Sequence, residues 1–300
     1  MLHLFTDNLL PIFLAAAVGY VLAARGAVNP RSLAHVAFYV FSPCLIFRII
    51  VDNRVTGEAM LRVGAFAVLG LVVLAGVAAL AAWRLRWPPS LVAAGALVVL
   101  LPNAGNFGLS ANLLAFGEPG LAGASLYFVT SAILSYTLGV FVASLGKASP
   151  ARALASLVRI PTIWAVALGF LMVYLGISLP RPADTTVRLL ADACIPVFLV
   201  ILGMQLHGAA WRGRLAPLAL GTGMRLLGGM GLALVLAGWF GLAGAERQSG
   251  ILQASMPSAV ITIILATEYD VEPGFVTSVV LVTTLLCPLT LTPLLAYLGA

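Results

Sequence analysis

Apolar runs of about 20 residues recur from one end of this chain to the other, each long enough to cross a hydrocarbon core roughly 30 Å thick. They lie near residues 8–24, 33–51, 61–83, 91–115, 121–145, 161–178, 189–207, 215–241, 248–267 and 274–298. In lipid such a run must satisfy its own backbone hydrogen bonds, which a helix does. The expected fold is therefore an all-α polytopic membrane protein with ten transmembrane helices. Only 9% of the 300 residues are charged, against about 25% in a soluble domain. No soluble domain remains once the runs are marked.

The net charge of +6 does not point to nucleic acid, because the basic residues stand singly or in pairs between apolar runs and form no stripe that could track phosphates. Cys44, Cys194 and Cys287 lie inside apolar segments without CxxC spacing, which fits small buried side chains better than metal or redox chemistry. The sequence calls for neither a metal nor a bound cofactor. The first residues, MLHLFTDNLLPIF, lack a basic n-region and a small-residue cleavage site, and read as the start of the first span.

Loop charge sets the orientation. With the N-terminus outside, the inner side receives Arg25, Arg31, Arg84, Arg86, Lys147, Arg152, Arg159, Arg212, Arg214 and Arg225, ten of the sixteen basic residues. The outer side receives Asp7, Asp52, Glu58, Glu118, Asp184, Asp192 and Glu246, seven of the ten acidic ones. Both termini are thus expected on the non-cytoplasmic side of the membrane.

The two halves of the chain echo one another. Pro11 with Gly19-Tyr20 matches Pro161 with Gly169-Phe170 at an offset of 150, and Pro43 matches Pro196 at 153. Glu118-Pro119-Gly120 matches Glu272-Pro273-Gly274 at 154, and Pro102 matches Pro257 at 155. Residues 1–146 and 161–300 therefore read as two copies of a five-span unit joined by a basic cytoplasmic linker, 147–160. An odd number of spans forces the second copy to enter from the opposite side. That is the inverted repeat many secondary transporters use.

Within the fourth run stands LPNAGNFGLS, residues 101–110. Proline removes a backbone hydrogen bond and clashes with the preceding turn, and freed backbone groups in lipid need protein or a water-filled cavity around them. Pro102 with Gly105 and Gly108 predicts a broken helix facing the bundle interior, and QASMPS, residues 253–258, predicts the same in span 9. A single kinked transmembrane helix is usually only a kink. Two at equivalent places in inverted halves are expected to meet near the midplane, where half-helix N-termini suit an anionic group. Asn103, Asn106 and Ser258 add side-chain donors there.

At these residues the chain resembles the auxin efflux carrier family, which includes plant PIN proteins and bacterial permeases. LPNAGNFGLS is similar to the family's span-4 motif, MPSAVITIILATEYDVEP to its span 9 and the loop beyond, and SPCLIF and IPVFLVILGMQL to its spans 2 and 7. The resemblance covers essentially the whole chain. It implies two inverted five-helix repeats, spans 4 and 9 crossing at Pro102 and Pro257, an elevator-like movement against a scaffold, and small organic anions as substrates. It also implies that Asn103 contacts the substrate. Ser110 stands where many relatives have proline. The long cytosolic loop of many plant members is absent, which points to a bacterial-type permease.

Other polar residues in the spans carry two readings each. His35 either handles protons or sits at the interface, and Asp192 either faces the cavity or caps the outer end of its helix. Arg225 is expected as an inner-end anchor that snorkels to headgroups, ahead of a counter-charge for the anion, and Arg48 is expected near the outer surface. Gln253, Ser255 and Thr262 could line the site or hold a coupling cation. Thr130, Ser131, Thr283 and Thr284 are expected to bond their own backbone or a neighbouring helix. Glu268, Asp270 and Glu272 read as solvated inner-loop charges.

The functional expectation is a secondary active transporter of a small organic anion, a carboxylate, dicarboxylate or auxin-like acid. A proton or sodium ion is the candidate coupling ion, and a homodimer the candidate assembly. The rivals are a passive anion channel, a non-transporting receptor and, least, an intramembrane hydrolase built on Ser110. For that enzyme His3, His35 and His207 are all expected at the wrong depth.

Overall fold

The computed structural model of the protein describes residues 2–26, 28–53, 56–144, 160–207 and 215–300. Among these, helices and short connections account for everything except one isolated β-bridge. In chain order the helices are α1 (Leu2–Ala24), α2 (Pro30–Asp52), α3 (Gly57–Arg84), α4 (Pro89–Leu100), α5 (Ala104–Ala143), α6 (Pro161–Leu175), α7 (Arg181–Leu206), α8 (Leu215–Trp239), α9 (Gly244–Ala254), α10 (Ile261–Glu268) and α11 (Pro273–Leu298). Seven of the described helices are long and apolar enough to cross a membrane; α4, α6, α9 and α10 are shorter. The inner-linker residues Lys147, Arg152 and Arg159, and Arg212 and Arg214, lie outside the described residues.

Local chemistry fixes several boundaries. Pro30 opens α2 with Asn29 before it, whose side chain accepts the Arg31 N–H at 2.9 Å. Thr56 caps α3 by accepting the Ala59 N–H at 3.2 Å, satisfying one of the orphan donors at a helix start. Inside α5 the helix breaks at Gly117 (φ 64°, ψ −158°), two residues before Pro119. Runs 4 and 5 are therefore joined by a single sharp turn. One expectation is corrected here. The stretch after residue 180 is not a loop but the amphipathic first part of α7, Arg181–Asp192, with proline in its first turn and an Asp184–Arg188 pair at 2.9 Å one turn apart.

The burial pattern is that of a protein turned toward lipid. Large apolar side chains point outward along the helices, Leu289 at 74% and Val235 at 71% exposure among them. Trp83, Trp164, Trp239, Tyr174 and Tyr297 are exposed near helix ends, where aromatic rings favour a membrane interface. Buried polar residues include Asn103, Asn106, Ser255 and Ser258, close together around two interruptions of the chain.

Packing divides the helices into two sets. In one, α1 lies along the second part of α7, and α6 along the second part of α2. In the other, α3, α4, α5, α8, α9, α10 and α11 pack together around the chain breaks described below. The α1–α7 contact is close because Gly19 and Gly203 face each other's helix. A Cβ at Gly19 would overlap the Val200 carbonyl, and one at Gly203 the Ala16 carbonyl.

Polar contacts join the helix ends. Arg48 pairs with Asp52 and Asp192, Arg188 with Asp52 and Asp184, and Arg62 with Glu246 at 3.0 Å. Glu272, expected as a solvated loop charge, accepts from Ser90 Oγ at 3.0 Å. The Arg62–Glu246 pair is bidentate and only partly exposed, which places it at the upper end of surface pairs. Arg62→Ala should accordingly lower the melting temperature in detergent by about 2–4 °C, as thermal unfolding will read.

Candidate functional site

The second set is built around two interruptions. α4 ends at Leu100, and Leu101 turns extended (φ −111°, ψ 97°) before Pro102 and Asn103. The chain then enters α5 through a π-helical turn, Ala104–Leu109. Ser255–Val260 likewise separate α9 from α10. The two interruptions run antiparallel with Pro102 opposite Ser258. The Asn103 N–H donates to the Pro257 carbonyl at 2.7 Å, and the Ala259 N–H to the Leu101 carbonyl at 2.8 Å. Each break thereby supplies partners for backbone groups that the other frees, which a buried chain requires.

Two expectations change in detail. The N–H groups of Asn103, Ser258 and Ala259 are paired rather than open, that of Ser258 to Thr283 Oγ1 at 3.2 Å. Gly105 and Gly108 sit beyond the interruption, in the π-helical turn, where they permit close contact. A Cβ at Gly105 would come within 2.9 Å of the Phe128 ring, and one at Gly108 would overlap the Gln253 side-chain oxygen.

Around the breaks lies a polar centre that is nearly closed to solvent: Asn103, Asn106, Ser110, Asn112, Gln253, Ser255, Ser258 and Thr262 are all buried. Most of it is spent on carbonyls. Ser258 Oγ donates to Val98 O at 2.7 Å, and Thr262 Oγ1 to Ala259 O at 2.6 Å. Gln253 Nε2 donates to both Ala104 O at 3.1 Å and Ala124 O at 3.0 Å, tying α9 to α5 on either side of the Gly117 turn. Asn106 Nδ2 reaches Gln205 Oε1 on α7 at 3.3 Å, bridging the two helix sets. Beside it, the rings of Phe107 and Phe13 meet edge to face at 5.8 Å. Among the described residues four buried atoms at this centre have no partner: Asn103 Nδ2, Asn112 Oδ1, Gln253 Oε1 and Arg225 Nε. Such atoms cost free energy unless something arrives to meet them.

The structure brings together Pro102, Asn103, Gly105, Asn106, Gln253, Pro257, Ser258 and Thr262. It leaves two of the sequence candidates elsewhere. His35 is exposed on α2 with its ring near Tyr39. Asp192 is exposed at the Arg48 pair, on the wall of a cavity of about 440 Å³. That cavity opens between the two helix sets, lined by Leu45, Arg48, Asp52 and Pro196 on one side and by Leu113, Glu118 and Leu121 on the other. Asp192 thus faces a cavity, though not the paired breaks, and lies inside α7 rather than at its end; Arg48 is partly exposed.

Thr130, Thr283 and Thr284 bond carbonyls one turn back in their own helices. Ser110 Oγ points to Asn106 O at 3.4 Å, while His3 pairs with Asp7 and the His207 ring meets that of Tyr20 edge to face. Among the described residues no three His, Cys, Asp or Glu side chains gather as metal ligands.

Arg225 overturns its expectation. It is not an anchor at the inner end of α8 but fully buried at the centre, donating to Val99 O at 2.6 Å and to Ala254 O. Sequence reasoning also missed Gln205 and Asn112. Gln205 was hidden at the end of an apolar run, whereas Asn112, four residues after Gly108, could have been found from its helical spacing.

A family model described as "Membrane transport protein" matches residues 4–151 and 147–295, nearly the whole chain. An uncharacterized transporter of Methanothermobacter thermautotrophicus is 26% identical over 285 residues, covering 94% of each chain. An uncharacterized transporter of Methanocaldococcus jannaschii is 26% identical over 192 residues, 63% of this chain and 62% of its own. The uncharacterized transporter YfdV of Escherichia coli is 25% identical over 293 residues, 90% of each.

Proposed function

Because the chain belongs to the membrane transport protein family, that of the auxin efflux carriers, we propose that it is a secondary active transporter of a small organic anion. The observation that carries this reading is the unpartnered, buried Asn103 amide at the paired chain breaks. An N–H donor without an acceptor, at the start of a half-helix whose dipole is positive, suits a carboxylate. Asn106, Pro102, Gly105, Pro257 and Ser258 shape the same place, Ser258 by holding α4 and Pro257 by holding the Asn103 backbone.

The helix packing supports the finer architecture. Counting α4 with the first part of α5 as one span, and α9 with α10 as another, gives ten spans, with spans 4 and 9 crossing at their breaks. Exchanging the halves turns the α1–α7 contact into the α6–α2 contact, and both are present. Paired contacts of this kind support two repeats, and an odd number of spans in each would make them inverted. The set α1, α2, α6 and α7 serves as scaffold, and the other set carries the site across it. The Asn106–Gln205 bond, the Phe13–Phe107 contact and the 440 Å³ cavity lie on the boundary where such sliding takes place. Gln253 and Thr262 beside the site, with Asp192 and His35 away from it, are the candidates for proton or sodium coupling. The bilayer is a bacterial inner membrane with both termini outside.

The test is uptake into proteoliposomes of labelled malonate, succinate, benzoate and indole-3-acetate under imposed proton and sodium gradients. Wild type should accumulate at least one acid saturably. Asn103→Ala, which removes one hydrogen bond to a charged group, should raise KM about 10- to 100-fold. Flux that never exceeds electrochemical equilibrium would mean a channel, and binding without flux a receptor.

A further inference from the structure

The polar centre holds one full charge that the transport reading does not use. Arg225 lies in a π-helical turn of α8, Met224–Gly228, and is 0% exposed. Burying a cation in the middle of a bundle is costly unless it is compensated, yet among the described residues no carboxylate pairs with it. Its partners are backbone carbonyls of a particular kind. Val99 is in the last turn of α4, and Ala254 is the last residue of α9. One guanidinium thus bonds the C-terminal ends of both half-helices that precede the breaks.

Each helix C-terminus acts as about −0.5 of an elementary charge and each N-terminus as about +0.5. At a crossing of two broken helices these four ends lie close together. The two negative ends would largely cancel the two positive ones. Arg225 supplies the +1 that neutralises the negative pair and leaves the positive pair, at the starts of α5 and α10, unopposed. Around the guanidinium the wall is apolar apart from the Tyr127 phenol, formed otherwise by Phe66, Leu71, Leu74, Leu232 and Ala233, so its field is little screened. Space for it is built in as well. A Cβ on Gly229, one turn further along α8, would lie 2.6 Å from both the Ala254 carbonyl and the guanidinium. A second and independent sign points to an anion: Asn103 Nδ2, 4% exposed as a residue, is a donor without a partner on the first residue before α5.

We infer that Arg225 sets the charge selectivity of the site, making the paired breaks a place for a carboxylate by acting through the half-helix ends without touching the substrate. Arg225 is in this sense a positioning residue, and the inference rests on the transport reading above.

The experiment is uptake kinetics in proteoliposomes for the acid among the four probes that wild type moves, with Arg225→Gln, Arg225→Lys and Gly229→Ala, each checked for melting temperature. Arg225→Gln keeps a donor for one carbonyl and loses the charge; its KM should rise about tenfold or more, the order expected for a unit charge in a low-dielectric interior. Arg225→Lys keeps the charge and should restore KM to within about threefold of wild type. Gly229→Ala keeps the charge but displaces it, and should raise KM at least about threefold; it provides the test if Arg225→Gln does not fold. A purely structural role predicts instead that losses follow melting temperature, with Lys and Gln equally impaired. That result, or wild-type KM in Arg225→Gln or Gly229→Ala, overturns the inference while leaving the transporter standing. If wild type moves none of the four acids, the transport reading itself fails and takes this one with it.

Discussion

Gly203→Ala is expected to lower the melting temperature in detergent by on the order of 10 °C, a loss of about 3 kcal/mol. The added methyl would overlap a backbone carbonyl, that of Ala16 on α1. A flexible side chain could swing aside; a helix backbone cannot. The whole α1–α7 contact must open, and its loss forfeits the dispersion energy of two closely packed helices, the main attraction between helices in lipid. Gly19→Ala presses on the same contact from the other helix, at Val200. The double variant should therefore cost little more than Gly203→Ala alone, because a contact already opened has room for both methyls. Full additivity of the two losses, or an unchanged melting curve for either single variant, would contradict this account of the scaffold.

Gly108→Ala should be comparably damaging for a different reason. Its methyl would occupy the place of Gln253 Oε1, and Gln253 is not free to move, since its Nε2 holds both Ala104 O and Ala124 O. Displacing it takes the buried Gln253 Nε2 from both of its acceptors, at about 1–3 kcal/mol for each bond lost. The expected result is a total of about 2–6 kcal/mol lost, with uptake abolished because the start of α5 is no longer held against α9. In a Gln253→Ala background the methyl has space, so Gly108→Ala should add almost nothing there. A double-mutant cycle on thermal unfolding reads this coupling directly; equal costs in the two backgrounds would show that Gly108 matters for some other reason.

Much of the candidate site was legible before any coordinates. Pro102 and Pro257 announced the two interruptions, because a missing N–H in a lipid-buried helix must be answered wherever the chain runs. Asn103 was legible as the donor beside the break. The glycines misled in part. Gly105 and Gly108 resemble break residues in sequence, but they remain helical and serve to admit Phe128 and Gln253, neighbours that only packing could name. The helix at Arg181–Asp192 was also missed, its low hydropathy hiding an amphipathic face.

The sequence by itself determined that this protein crosses a membrane many times and where its helices break. Those facts follow from the length of apolar runs and the chemistry of single residues, which act within one segment. Only the tertiary structure decided how the freed backbone groups are answered. Ser258 bonds Val98, and Gln253 bonds Ala104 and Ala124. Arg225 shows the division most plainly. Ten residues inside an apolar run, an arginine can snorkel to the surface or turn inward. Which it does depends on whether carbonyls from residues 99 and 254 wait at the centre, and they are placed there only when three distant segments fold together.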